Sequence, residues 1–304
     1  MKTTTLISAM LLLAGSTGFI GTTAQAATAG EQLFLYNFEE TRPLTVDVTK
    51  ELMALYLADQ RPDRLEPGLD NTVRYVSSKD PNTTLEHNLL TGDLRFHRNF
   101  ARYLGDFKPA LPTPDEAVKM AQGFLEENKL LPANMAELKL AHIGGLRATT
   151  VLRGERAGPI IDKLITLNYA RTLNGAPVIG PGSKIIVDIG EKGEVISLTR
   201  HWRELSPKAI ELAPEEVFAL TDAKRLSAAQ LRKEFGPEAK FETLDVQTAY
   251  FDNNGKVLQP VYAFQTKVFL PDQKSQAFDY VSIIPAMRKP PEKLDLTKTL
   301  ATSL

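Results

Sequence analysis

The sequence predicts an α+β protein built from tandem units, each an amphipathic helix packed on an antiparallel β-meander. Three observations carry this expectation. A firmly capped helix is followed by a run of alternating strands, and the same order of elements returns about ninety residues later. The strands are separated by glycine and asparagine turns of hairpin type. The helices carry one apolar stripe each, which needs a sheet face to cover it.

The first residues stand apart from this plan. "MKTTTLISAMLLLAGSTGFIGTTAQAA" has a lysine near its start, a short apolar core, and small residues at Ala24 and Ala26. That pattern predicts a secretory signal peptide over residues 1–26, cut after Ala26, and hence a secreted or periplasmic protein. Its apolar run is too short and too broken by Gly, Ser and Thr for a membrane span. No membrane span is expected elsewhere.

Residues 27–110 read as an N-terminal α+β segment, a shortened version of the later units. "LTVDVTKELMALYLAD" (44–59) places Val48, Leu52, Leu55 and Tyr56 at helical spacing. "TVRYVSSKDPNTTLEHNLLTGDLRFHRNFARYL" breaks its β-prone runs at "KDPN" and "TGD", which predicts a small meander.

The first full unit spans 111–206. Thr113 is placed to cap a helix, Pro114 suits its first position, and Glu116 completes a capping box. Ala117, Met120, Ala121, Phe124 and Leu125 then fall on one face. Strands follow at "ELKLAHIGGL", "KLITLNYARTL", "APVIGPGSKIIVDIG" and "EVISLTRHW", with turns at Asn174-Gly175 and Glu191-Lys192-Gly193.

A second unit is expected over 207–290. "LAPEEVFALTDAKRL" opens it as a helix start, and Ser227 with Gln230 offers another capping box. "FETLDVQTAYF", "LQPVYAFQTKVF" and "AFDYVSIIPA" supply its strands, with a turn at Asp252-Asn253-Asn254-Gly255. The proline-broken stretch 291–304 reads as a flexible tail.

"YARTLNGAPVIGPGSKIIVDIGEKGEVISLTRHWREL" combines an Asn-Gly turn, a "PV" strand with glycine, an apolar strand, a "G-x-V" hairpin and a polar-aromatic strand. In this it resembles the PepSY-type domains and the related propeptide domains of thermolysin- and fungalysin-like metallopeptidases. "LQPVYAFQTKVF…FDYVSIIPA" is similar to the last strands of a second such unit. The resemblance covers 111–287 and implies a non-catalytic domain of secreted proteins that inhibits a peptidase or helps it fold. No H-E-x-x-H motif occurs in the chain.

Composition narrows the chemistry. The chain has no cysteine, which excludes thiolate metal sites, thiol nucleophiles and disulfides. A net charge of −1 gives no footprint for nucleic acid. No cofactor is expected. "PGSK" at Ser183 lacks the frame of a nucleophile elbow, and no phosphate-binding glycine loop is present.

Four histidines are spread along the chain, with no helical metal pair. A hairpin centred on Gly92 would set His87 opposite His97 and Glu86 opposite Arg98, an outside chance of two metal ligands or of a hydrolase cluster. "TRHWRE" places Trp202 on one face of a strand and His201 and Arg203 on the other. Trp202 is expected to pack against a helix, the alternative being a stacking platform for a ligand. Arg171, His201, Trp202 and Arg203 are the candidate binding residues. The resulting expectation is an exported protein-binding module whose partner is a secreted peptidase or a cell-envelope component. The alternative is a secreted hydrolase or ligand-binding envelope protein.

Overall fold

The computed structural model describes residues 32–40, 44–45, 64–68, 71–77, 80–98, 100–149, 158–271 and 276–294. The expected signal peptide (1–26), residues 46–59 of the expected helix and the last ten residues of the expected tail lie outside the described residues.

In chain order the strands are β1 (Phe34–Asn37), β2 (Arg64–Pro67), β3 (Thr72–Val76), β4 (Thr84–Asn88), β5 (Leu94–His97), β6 (Leu138–Ala148) and β7 (Ile161–Leu173). They continue with β8 (Ala176–Ile179), β9 (Lys184–Ile189), β10 (Val195–His201), β11 (Ile210–Glu211), β12 (Lys240–Asp252), β13 (Val257–Phe269) and β14 (Phe278–Pro285). The α-helices among the described residues are α1 (Pro114–Glu127) and α2 (Leu220–Phe235).

The expected α+β class, tandem units of a helix on its own antiparallel meander, is overturned. Fourteen strands accompany two α-helices among the described residues, and strands pair across the expected unit boundaries. β10 takes β5 as a partner, β13 takes β1, and β8 runs parallel to β12, so the sheet is mixed. Neither 111–206 nor 207–290 is therefore a closed unit. Local periodicity specifies that a segment is a strand but not which strand lies beside it.

Two compact units emerge. Of the described residues, the first holds those within 40–169 and 184–203, and the second holds 32–39, Ala170–Ser183 and those from Glu204 to 294.

In the first unit the strand order is β2-β3-β4-β5-β10-β9-β7, with β6 on β7. One face is apolar: Tyr75, Leu85, Phe96, Leu198, Val187 and Leu167 pack against Ala117, Ala121 and Leu125 of α1. The helix forms as its sequence predicts. Thr113 Oγ1 accepts from the Glu116 amide, and the Glu116 carboxylate accepts from the Thr113 amide at 2.8 Å. Met120 departs from the expected stripe and is exposed.

The second unit contains β11-β1-β13-β12-β8, with β14 on β13. Tyr262, Phe264 and Ile284 pack with Ala223 of α2. The expected helix start at 212–219 is corrected: Pro214–Glu216 form a single 3-10 turn, and α2 begins at Leu220. The intervening backbone is used otherwise, since Val217 bridges Met287 and the Phe218 amide donates to Ala286. Ser227 is no cap either. It is buried in the middle of α2, with Oγ 2.6 Å from Ser282 Oγ of β14.

Turn chemistry is close to expectation. Asn174 and Gly175 have φ of 50° and 85°, the left-handed pair a two-residue hairpin requires. They close β7 on β8 in the register Leu173↔Ala176.

Candidate functional site: an open polar sheet face with a shallow cleft

Strand alternation in the first unit sends apolar residues toward α1 and polar residues the other way. The registers align these polar residues in rows. Arg74, Glu86 and Arg95 are directly opposite one another on β3, β4 and β5, and Thr84, His97 and Ser197 form a row on β4, β5 and β10. Glu86 sits 3.5 Å from Arg74 and 4.0 Å from Arg95, so one carboxylate holds two guanidiniums.

Beside this row, Asp188 of β9 accepts hydrogen bonds from Thr166 at 2.6 Å and from Ser197 at 2.5 Å. Burial pushes the His97 imidazole below the usual histidine range, and the Arg95 charge adds to this, against the opposing pull of Asp188 and Glu86. His97 is thus neutral near pH 7 and offers one donor and one acceptor. The Ser197 hydroxyl gives its proton to Asp188 and is itself buried, which sets it apart from the serine of a nucleophilic triad.

At the edge of this face lies a cleft of about 330 Å³. Arg74, Asn82, Thr84 and His97 supply its polar wall, and Pro81, Phe100 and Leu104 an apolar one. The Asp80 carboxylate nearby is held by its own loop: it accepts from Thr83 Oγ1 at 2.7 Å and from the Asn82 amide at 3.0 Å. The Thr83 bond is foremost in keeping it ionised to lower pH than a free aspartate.

The sequence candidates scatter. The β4–β5 register is Thr84↔His97 and His87↔Leu94, not His87 opposite His97, so the hairpin is shifted from the predicted alignment. His87 is 2 % exposed, and its strand position faces α1, whereas His97 lies on the open face. Glu86 is engaged by the two arginines. Among the described residues no three His, Cys, Asp or Glu side chains gather as a metal site.

Trp202 is 2 % exposed within the helix-covered core, which removes it as a stacking platform. His201 Nδ1 lies 3.2 Å from Asp93, and Arg203 adds its charge nearby. Burial pushes the Asp93 carboxyl up, but the hydrogen bond and charge of His201, together with the Thr91 hydrogen bond and the Arg203 charge, leave its pKa lowered.

Arg171, expected near an exposed strand, is fully buried in the second unit. Its Nη1 donates to Ser183 Oγ at 3.2 Å, and that hydroxyl donates to Asp252 at 2.6 Å. All three side chains are buried. Gly182 makes room for the carboxylate, since a Cβ there would stand 2.2 Å from Asp252 Oδ2. The "GPGS" run was the sequence signal for this close approach, but nothing local pointed to Asp252 as its partner.

No family model and no curated protein matches the chain. Among solved structures, it is similar to an uncharacterized protein from Eubacterium rectale at 10 % identity, with a TM-score of 0.49 over 90 % of this chain and 89 % of that one. It is also similar to the Bacillus megaterium YpeB C-terminal domain at 14 % identity, with a TM-score of 0.38 over 80 % of this chain and 99 % of that one.

Proposed function

We propose that this chain is an exported protein-binding module of the PepSY and propeptide-like kind, acting on a secreted peptidase or envelope protein without chemistry of its own. The supporting observation is β6. It is an eleven-residue strand that pairs with β7 alone among the described strands and exposes Leu140 and Ile143. A strand of this length with one partner among the described strands is a template for adding a partner's extended segment, main-chain bonds giving affinity and alternate side chains selectivity. Gly145 fits β6 tightly to its neighbour, since a Cβ there would fall 2.2 Å from the Leu164 carbonyl oxygen. That close fit holds the edge in place.

The test is site-specific photocrosslinking in the producing cells. A photoreactive side chain at Ile143 is expected to capture one peptidase or envelope protein, and the same group at the exposed Glu126 of α1 is not. Equal capture from both positions, or none from either, would refute docking at this edge.

A further inference from the structure

The cleft of the first unit has a chemistry that the edge-strand reading does not use. We infer that it captures the C-terminal residue of a partner polypeptide, the carboxylate on Arg74 and the apolar side chain against Phe100 and Leu104. This rests on the protein-binding reading and names the recognised element.

Charge comes first. Among the described residues, the lining holds one guanidinium and no carboxylate. Glu86 lies 3.5 Å from Arg74 Nε, and a guanidinium has five N–H donors in a planar fork, so further donors remain for a planar anion. Asp80, the acid closest in sequence to the rim, is turned into its own loop. Asp188 is occupied by Thr166 and Ser197.

Shape comes second. About 330 Å³ is at the lower bound of small-molecule sites, and the cleft is open, so it suits the end of a chain better than an enclosed ligand. The apolar wall stands beside the cation. A C-terminal leucine or phenylalanine presents a carboxylate and an apolar side chain on the same carbon, whereas an internal aspartate or glutamate carries no apolar group beside its charge. Neutral His97, with Asn82 and Thr84, supplies donors and acceptors for the last peptide unit.

The experiment uses the full mature chain and fluorescent hexapeptides ending in leucine or phenylalanine, as free acids and as amides, with an amidated peptide carrying an internal glutamate as a third arm. Fluorescence anisotropy at low salt is expected to show the free acids binding at least about tenfold more tightly than either amidated peptide, the size of one lost charge-assisted contact. Arg74→Gln, at an exposed strand position, is expected to erase that preference while the circular dichroism spectrum is kept. Equal binding of acid and amide, a preference that survives Arg74→Gln, or no free-acid binding at millimolar peptide would each overturn the inference. Capture at Ile143 together with any of those results would leave the protein-binding reading standing and remove the C-terminal element alone.

Discussion

Replacing Asp252 by alanine tests the buried network of the second unit. The carboxylate accepts from Ser183 Oγ at 2.6 Å and from the Asn254 amide at 2.9 Å, and Arg171 reaches it through that serine. Arg171 is 0 % and Asp252 1 % exposed, so water cannot replace what the substitution removes. Removing one charge of a buried set leaves the other uncompensated, at a cost of about 3–5 kcal/mol. For a chain of this size that corresponds to a melting point lower by roughly 10 °C. Urea unfolding followed by far-UV circular dichroism reads the loss. The fluorescence of Trp202, which lies in the first unit, reports separately on that unit. A loss below about 1 kcal/mol would show that Arg171 does not depend on this carboxylate, and the account of the network would fail.

Further outcomes follow from the first unit. His87 is held below the usual histidine range by burial, against the pull of Asp93. A depressed folded pKa contributes stability that is intact above the unfolded value near 6.5 and is lost as pH falls toward the folded one. Urea midpoints read by Trp202 fluorescence should therefore fall as pH drops below about 6.5, and His87→Gln should flatten that slope. Asp93 is lowered in the same sense, so its share is lost only in the acid range below about pH 4. Thr113→Ala removes the cap of α1 and should cost about 1 kcal/mol by chemical denaturation. Emission from Trp202 should be blue-shifted and resistant to iodide, and red-shifted, quenchable emission would contradict its place in the core.

Local chemistry was legible residue by residue. The Thr113–Glu116 capping box, the Asn174-Gly175 turn and the alternation of β9 each depend on neighbours within a few positions, and each appears where the sequence predicts it. The start of α2 was misplaced because Val217 and Phe218 are drawn into backbone contacts with residues about seventy positions away. Of the candidate site residues, His201 is largely buried beside Asp93, Trp202 went to the core as expected, and Arg171 went to an unexpected buried network.

By itself, then, the sequence determined the cap of α1, the Asn174-Gly175 turn and the apolar alternation of β9, because backbone preference and apolar period act over a few residues. Tertiary structure alone decided that β5 meets β10, that β8 runs parallel to β12, and that Arg74 and His97 share one wall of a cleft. Those arrangements depend on which apolar faces cover one another best across long stretches of chain, and no local pattern records that choice.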